Sequence, residues 1–264
     1  MEISVYIITF NESDKIRDCI NSVLWADEII VADSNSNDGT IEIAESLGAK
    51  VIQIPFNGYG DLRNKAISYC TKDWILSIDS DERCTEEFRD EVLSVISTSS
   101  TDIFKVPRKN FFMGKWIKYS GWYPNYRQPQ LFRSGKMSYE DKPVHEGYVS
   151  HSKKKIGFIK NNIWQIPFKN FEELNYKSNR YSTLGAKKLK DRNIKGGIGK
   201  SLIHAAWAFL KHYIFKLGFL DGAAGLVIAF GNFEGTFYRY LKLTEKEKNW
   251  KIPETRPIYR QSKK

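Results

Sequence analysis

Two acids two positions apart, Asp79 and Asp81, follow an apolar run at residues 74–78. In an extended strand, residues two apart point in the same direction, so this spacing directs both carboxylates to one point beyond the strand end. Such a pair suits Mg²⁺ or Mn²⁺, which keep coordination positions open for the phosphates of a substrate. The pattern predicts a metal-assisted grip on a phosphorylated donor. The competing interpretation is a helix-capping or solvated turn, since Glu86 and Glu87 follow.

The elements that must position these acids alternate along the first hundred residues. Apolar runs rich in β-branched residues alternate with amphipathic segments, in the order β-α-β-α-β-α-β. Right-handed crossovers then require an α/β fold with a doubly wound, mostly parallel sheet, whose ligands bind outside the carboxyl ends of the strands. Asn11 and Ser13 are the candidate caps of the first helix. We predict strands at residues 3–8, 28–32, 50–54 and 74–79, and further helices at residues 40–47 and 61–70.

Three polar clusters follow strands one, two and four, at residues 9–12, 33–40 and 79–82. The fold predicts that all three share one edge of the sheet. The glycine-rich fingerprints of dinucleotide-binding and P-loop proteins are missing, which argues against NAD and against a Walker-type ATPase. The second cluster is not an EF-hand, because its glycine stands at the seventh position and Ala44 replaces the bidentate glutamate.

Composition limits the function classes further. The chain has 264 residues, 41% of them hydrophobic, enough to bury a large core. Its three scattered cysteines indicate neither a disulfide framework nor a zinc site, and we expect a reducing cytoplasm. The start of the sequence runs into a strand pattern, so we expect no signal peptide.

The net charge of +10 is divided unevenly. Residues 1–100 carry 8 basic and 19 acidic side chains, a net of −11, and the remainder carries 33 against 12, a net of +21. The later part therefore suggests a polyanionic partner: nucleic acid, an anionic membrane surface or a phosphorylated glycolipid. A nucleic-acid-binding protein leaves the acidic clusters of the sheet edge unexplained, so we expect no nucleic acid.

Four segments, taken in order, resemble the signature of family 2 glycosyltransferases with the GT-A fold, a Rossmann-like sheet of mixed but mostly parallel strands. They are Thr9-Phe10-Asn11-Glu12, Val31 to Thr40, Arg63-Asn64-Lys65-Ala66, and Trp74 to Glu82. Later segments resemble the branch that contains the lipopolysaccharide core β-1,4-glucosyltransferases, and the resemblance extends to about Leu243. These later segments are Pro143 to Glu146, Phe171 to Tyr181 and Gly218 to Gly222.

The resemblance implies roles for the residues of these motifs. Asp33 would accept a hydrogen bond from the base, Arg63 would reach the base or the diphosphate, and Asp79 would be shared between ribose and metal, with Asp81 as the better metal ligand. The alternative is that Asp33 and Asp38 only shape a turn and cap the helix at Thr40, while Arg63 is a solvated helix residue. The remaining nucleotide-sugar-binding candidates are Thr9, Phe10, Glu12 and Ser80.

Inverting sugar transfer also needs a carboxylate that takes the proton from the acceptor hydroxyl. The acidic segment at residues 140–146 is the candidate source. Glu146 is the first choice of base and Asp141 the second, and His145 is a candidate third metal ligand or acceptor contact. The alternative is a charged surface loop.

The last third is helical and basic. Residues 201–217 and 223–233 are apolar on nearly every face, but Lys211, Lys216 and Asp221 interrupt this part of the chain, so we predict no membrane-spanning helix. Peripheral docking on an anionic membrane and a homo-oligomeric interface both fit this pattern. We predict a catalytic domain at residues 1–165, a C-terminal helical extension at 166–243 and a polar tail at 244–264.

Together these features predict an inverting, metal-dependent hexosyltransferase. The expected donor is a UDP-sugar, with glucose as the best single choice, and the acceptor a lipopolysaccharide-core or other lipid-linked glycan or oligosaccharide. The expected location is the cytoplasm, at the inner face of the cell membrane. The alternative is a nucleic-acid- or glycan-binding protein without turnover.

Overall fold

The computed structural model describes residues 1–123, 129–140, 147–248 and 250. The chain forms two compact units, of which the first is Met1–Phe168 and the second begins at Lys169.

The first unit contains thirteen strands among its described residues, and four helices. In chain order the strands are β1 Ile3–Thr9, β2 Glu28–Asp33, β3 Lys50–Gln53, β4 Trp74–Asp79, β5 Glu82–Arg83, β6 Ile103–Lys105, β7 Arg108–Phe112, β8 Lys115–Trp116, β9 Pro129–Arg133, β10 Met137–Tyr139, β11 Tyr148–Ser150, β12 Gly157–Phe158 and β13 Ile163–Gln165. The helices are α1 Ser13–Asn21, α2 Thr40–Ser46, α3 Tyr59–Ser68 and α4 Glu86–Thr98.

A seven-stranded sheet in the order β12-β6-β9-β4-β1-β2-β3 forms the centre of this unit. Strands β1 to β4 pair in parallel, and β9 runs antiparallel to both β4 and β6. The predicted doubly wound, mixed and mostly parallel α/β sheet is therefore confirmed. Alternate residues of β1 enter two separate hydrophobic cores, with Val5 and Ile7 in one and Tyr6 and Ile8 in the other. The sheet is thus covered on both faces, which explains the continuous apolar run of β1.

A smaller four-stranded sheet, in the order β5-β13-β7-β8, begins directly after the acidic turn at Ser80 and Asp81. Strand β13 pairs antiparallel with β5, so Gln165 lies opposite Glu82. Strands β10 and β11 form a separate two-stranded sheet. The turn between β4 and β5 therefore joins the two larger sheets.

The predicted caps of α1 are wrong. The helix begins at Ser13, and the cap position, Glu12, provides no side-chain hydrogen bond to it. Asn11 adopts a positive φ of 53°, and its Oδ1 accepts a hydrogen bond from the Asn37 N–H at 3.0 Å. Its own N–H donates to the Ser36 hydroxyl at 2.8 Å. Asn11 therefore joins two neighbouring loops instead of capping its own helix.

The second unit is helical, as the sequence predicts. It contains α5 Phe171–Asp191, α6 Ile198–Leu210, a π-helical segment at Lys211–Phe215, a 3₁₀ helix at Gly218–Asp221 and α7 Ala223–Lys248. Helix α7 continues past the predicted boundary at Leu243, because Leu243 and Thr244 are buried and the Thr244 hydroxyl accepts the Gly197 N–H at 2.6 Å. Among the described residues, no helix combines the length and apolarity that crossing a membrane requires.

Candidate functional site

Strand register brings three of the predicted polar clusters to one edge of the central sheet. In the parallel β1–β2 pair Thr9 lies opposite Asp33, and in the β1–β4 pair Ile8 lies opposite Asp79. Since neighbouring strands are about 4.8 Å apart, Asp33 and Asp79 lie on either side of the end of β1, separated by roughly two strand spacings. This edge is the carboxyl end of the parallel strands, where ligands of such sheets bind.

Hydrogen bonds fix the loops that follow β1 and β2 against each other. The Glu12 N–H donates to the Thr40 hydroxyl at 2.9 Å, and the Ser13 N–H donates to Asp38 Oδ2 at 3.0 Å. Asp38 Oδ1 also accepts from the Thr40 N–H at 3.1 Å, so Asp38 shapes the turn before α2, but the cap position of that helix is Gly39 and has no side-chain cap. Partial burial opposes ionisation of Asp38, but hydrogen bonds from Thr40 and Ser13 outweigh it and lower the pKa of its carboxyl.

Asp33 is fully buried at the end of β2. Its carboxylate accepts hydrogen bonds from the N–H and the hydroxyl of Ser36, the former at 2.8 Å. Asp33 therefore shapes the turn, and a carboxylate with about four acceptor positions keeps capacity for a further donor.

Two buried hydroxyls at this edge lack a hydrogen-bond partner among the described residues: Thr9 Oγ1 and Ser34 Oγ. The two residues lie at the ends of neighbouring strands, where the Ser34 N–H donates to the Thr9 carbonyl at 3.0 Å. A buried polar group without a partner costs roughly 1–3 kcal/mol, so such groups in a native structure call for an explanation. These hydroxyls are therefore candidate contacts for a polar ligand at the strand ends.

Arg63, on α3, is buried, so the interpretation of a solvated helix residue is wrong. Its guanidinium donates to Asp79 Oδ1 at 2.7 Å and to the Ser77 hydroxyl at 2.9 Å, and it lies 5.4 Å from the centre of the Tyr139 ring. Burial raises the pKa of Asp79, but Arg63 and Arg108 more than offset this, and the pKa lies below its usual range. Asp79 is therefore held as a carboxylate at the strand end.

Beneath this pair lies a buried polar cluster that the sequence analysis missed: Glu82, Arg108 and Gln130. Glu82 is fully buried; it pairs with the Arg108 guanidinium and accepts from Gln130 Nε2 at 2.9 Å. It also accepts the N–H of Asp79 at 3.0 Å, so the cluster fixes the backbone that carries the first acid. Glu82 follows Asp81 directly in the sequence, but its side-chain partners Arg108 and Gln130 are distant along the chain.

Asp81 lies in the turn after β4 and not in the strand, so strand alternation does not set the direction of its carboxylate. The argument from strand alternation therefore does not apply to Asp81. The Gln165 amide donates to the Asp81 carboxylate at 3.2 Å, and the Ile166 N–H donates to the Asp81 carbonyl at 2.8 Å. Strand β13, another contribution that the sequence analysis missed, thus orients this acid.

The side chains near the strand ends decide whether the predicted Mg²⁺ or Mn²⁺ could bind there. The described part of the chain contains no cluster of three or more His, Cys, Asp or Glu side chains able to hold a metal. Mg²⁺ is commonly bound through one or two carboxylates, with substrate phosphates and water completing its shell. Asp79 and Asp81 supply two carboxylates, the number that such a cation commonly takes from a protein.

The other predicted site residues differ in their surroundings. Ser80 is buried, whereas 53% of Phe10 is exposed to solvent. The Glu12 carboxylate pairs with Lys15 at 3.1 Å. The candidate bases and the candidate third metal ligand lie outside the described residues: Glu146, Asp141 and His145.

Comparison with known proteins gives a consistent result. The model of glycosyl transferase family 2 matches residues 4–150. An uncharacterised glycosyltransferase of Rickettsia conorii is 30% identical, over 92% of this chain and 89% of that protein. The lipopolysaccharide core biosynthesis glycosyltransferase LpsC of Rhizobium meliloti is 27% identical, over 87% of this chain and 90% of that protein.

Among solved structures, S. aureus TarS 1-349 in complex with UDP superposes with a TM-score of 0.52 and 14% identity, over 94% of this chain and 92% of that chain. At this identity the similarity shows the fold alone, which is the GT-A fold.

Proposed function

This chain belongs to glycosyl transferase family 2, and we propose that it transfers a hexose, with inversion, from a UDP-sugar to a lipopolysaccharide-core or other lipid-linked glycan. One observation carries the proposal. The register of β1, β2 and β4 gathers Thr9, Asp33 and Asp79 at the ligand-binding edge of a GT-A sheet.

The nucleoside of the donor binds at the ends of β1 and β2. Asp33 accepts the uracil N3–H, since its carboxylate has acceptor capacity beyond its contacts with Ser36. The unpartnered hydroxyls of Thr9 and Ser34 offer hydrogen bonds to the ribose or the diphosphate. Phe10 and Glu12 line the same pocket, and Ser80 lies at its other side.

The diphosphate binds near Asp79 and Asp81. A divalent cation held there, Mg²⁺ or Mn²⁺, supplies neutralisation of the negative charge that grows on the departing UDP. The protein's contribution is to keep Asp79 ionised and to orient both acids. Arg63 holds Asp79 at 2.7 Å, and Gln165 holds Asp81 at 3.2 Å.

The acceptor hydroxyl attacks the anomeric carbon from the face opposite UDP, and a carboxylate removes its proton. Glu146 is our first choice for this base and Asp141 our second, with His145 as a metal or acceptor contact. Removing a general base typically lowers the rate about 10²–10⁴-fold. Glu146→Gln and Asp141→Asn therefore discriminate between the two acids.

Glucose is the donor sugar we propose first, and the similarity to LpsC favours a lipopolysaccharide-core acceptor. The basic second unit with its exposed apolar side chains favours peripheral contact with the inner face of the cell membrane, and we propose that location. A glycan-binding protein without turnover is the alternative, and it would retain donor binding but release no UDP.

The test is a donor-hydrolysis and transfer screen across nucleotide sugars, with and without Mn²⁺. We expect UDP release that depends on the cation and falls about 10²–10³-fold in Asp81→Asn. Asp73→Asn is the matched control, because Asp73 is an exposed acid on the loop before β4. Full, cation-dependent activity in Asp81→Asn would remove the metal role from this acid, and absence of turnover with every donor would favour the binding protein.

A further inference from the structure

The second unit exposes an unusual number of large apolar side chains on α6 and the segments that follow it. We call this set the apolar surface; it comprises Ile203, Trp207, Ile214, Phe215, Leu220 and Phe230, which are 45–71% exposed. Contiguous exposed apolar patches on a protein mark sites of contact with other proteins, membranes or ligands.

Positive charge predominates in the segment that carries the apolar surface. Residues 195–233 include four lysines and one acid, Asp221, which is buried. The first unit, residues 1–168, carries 21 basic and 23 acidic side chains, whereas residues 169–264 carry 20 and 8. The excess positive charge of the protein, +12 against −2, therefore belongs to the second unit. A second copy of the chain would bring like charges together, so an anionic partner is favoured over self-association.

A cavity of about 300 Å³ opens beside the apolar surface, between α6, the π-helical segment and α7. Lys211 is the first residue of the π-helical segment, a geometry that is often found at functional sites. The His204 and Tyr240 rings stack at 4.4 Å and form one wall. Its lining includes His204, Trp207, Lys211, Asn232, Arg239 and Tyr240.

Within the described part of the chain, the Arg239 and Lys211 side chains of this cavity have no anionic partner. Arg239 Nε is buried and makes no hydrogen bond, and no ion pair within the described residues involves Arg239 or Lys211. No Asp or Glu lines the cavity. A buried guanidinium N–H without an acceptor is an uncommon feature of folded proteins, and an anionic ligand would supply the acceptor.

We infer that this cavity binds the phosphate group of an anionic membrane lipid, while the apolar surface contacts the lipid interface around it. Arg239 and Lys211 supply positive charge for phosphate oxygens, and Trp207, which lines the cavity and belongs to the apolar surface, lies at the boundary between the two. The inference rests on the membrane contact proposed above and not on sugar transfer. It adds a specific headgroup site to a general attraction of basic residues for an anionic bilayer.

Vesicle binding of the whole protein tests the site. Phosphatidylcholine vesicles with about 20 mol% phosphatidic acid are compared with vesicles that carry the same surface charge as fatty-acid carboxylate. We expect tighter binding to the phosphate vesicles, and a loss of about fivefold or more in Lys211→Gln and Arg239→Gln. The matched controls, Lys200→Gln and Arg180→Gln, remove exposed charges of the same unit outside the cavity and should change binding less than twofold.

Free phosphate at constant ionic strength separates the sources of the ligand. Competition by phosphate in the wild type but not in Lys211→Gln supports the cavity as the phosphate site. Arg239 packs against Gly185, so Arg239→Gln could also disturb folding. The Arg239→Lys variant and a circular-dichroism melt therefore accompany it. Lys211 is exposed, so Lys211→Gln provides an independent measurement.

Three results would overturn the inference. The first is an equal loss of vesicle binding in the Lys211→Gln and Lys200→Gln variants. The second is equal binding of the wild type to phosphate and carboxylate vesicles. The third is concentration-dependent dimerisation that Lys211→Gln abolishes while vesicle binding persists. UDP release by the wild type without vesicles is measured in parallel. Turnover without vesicle binding rejects the lipid site and leaves sugar transfer intact, and the reverse result rejects sugar transfer alone.

Discussion

Glu82 is the residue on which the contacts beneath the candidate site converge. It pairs with Arg108 and accepts from Gln130 and from the Asp79 N–H. In Glu82→Gln the Arg108 guanidinium, also buried, would lose its counter-charge. Breaking a buried ion pair by removing one partner costs about 3–5 kcal/mol. We expect a loss of this size in the free energy of unfolding, measured by urea denaturation.

Glu45→Gln is the control for this change, because Glu45 is an exposed residue of α2, and we expect it to alter stability by less than about 0.5 kcal/mol. The double variant Glu82→Gln with Arg108→Gln removes both charges, so it should be less destabilised than the sum of the single variants. A single Glu82→Gln variant as stable as the wild type would show that the cluster is not held by its ion pair.

The Asp79 carboxyl group should make the free energy of unfolding depend on pH in the acid range. Its pKa in the folded protein lies below the usual range, because Arg63 and Arg108 outweigh the opposing effect of burial. A carboxyl group with a lowered folded pKa stabilises the protein above its unfolded pKa, about 3.9, and this stabilisation is lost as pH falls through the folded pKa. The difference in unfolding free energy between wild type and Asp79→Asn should therefore shrink between about pH 5 and pH 2.5.

The measurement is urea unfolding at several pH values in this window. Asp73→Asn serves as the reference, since it removes a carboxyl group that is exposed to solvent. A difference between wild type and Asp79→Asn that stays constant with pH would mean that Arg63 and Arg108 do not favour the ionised form.

Among the elements, the contact between the 3₁₀ helix and α7 depends on a glycine. A Cβ atom on Gly225 would lie 1.8 Å from the Gly218 carbonyl oxygen, a backbone atom that cannot rotate away. Gly225→Ala must therefore push the two elements apart, at a cost of about 1–3 kcal/mol or more. We expect a lower melting temperature of the helical signal, followed by circular dichroism.

Gly231→Ala, in the same helix, is the matched control. The nearest atom to its added Cβ would be a Leu174 methyl group at 3.9 Å, an ordinary contact. Alanine favours a helix interior over glycine by roughly 1 kcal/mol, so this variant should be neutral or stabilised. Equal effects of the two substitutions would place the close approach at Gly218 in doubt.

The order of the central elements could be predicted because each predicted strand of the parallel sheet carries its own signal. Strand β1 is buried along its whole length, so its apolar run needs no knowledge of distant residues. The carboxyl edge followed from the same order, since crossover handedness fixes which strand ends lie together.

The side-chain hydrogen bonds and ion pairs at that edge could not be predicted. Arg108 and Gln130 both contact Glu82, from 26 and 48 residues away along the chain. No local sequence pattern encodes such pairs. Asn11 shows the same limit. Its side chain could cap a helix, but its Oδ1 instead accepts a hydrogen bond from the N–H of Asn37, on the neighbouring loop. The direction of Asp81 likewise depends on Gln165, a residue of a different sheet.

At the scale of the whole chain, charge and chemistry are divided between the two units. The first unit, which contains the candidate donor site, is nearly neutral, whereas the second has the positive excess. Salt screens exposed charges over about 8–10 Å at physiological ionic strength. Raising the salt concentration should therefore weaken contact of the second unit with an anionic surface more than it weakens binding of a donor enclosed at the sheet edge.

Donor binding also links the site to the stability of the whole chain. A ligand that binds only the folded protein stabilises it by about 2.7 kcal/mol at a concentration of 100 times Kd. UDP with Mn²⁺ should then raise the melting temperature by roughly 5–10 °C, measured by differential scanning fluorimetry. In Asp81→Asn the part of the shift that requires Mn²⁺ should vanish, whereas Asp73→Asn should retain it. Equal shifts with UDP and ADP would contradict recognition of the base by Asp33, and a Mn²⁺-dependent shift that survives in Asp81→Asn would show that the cation is held by other residues.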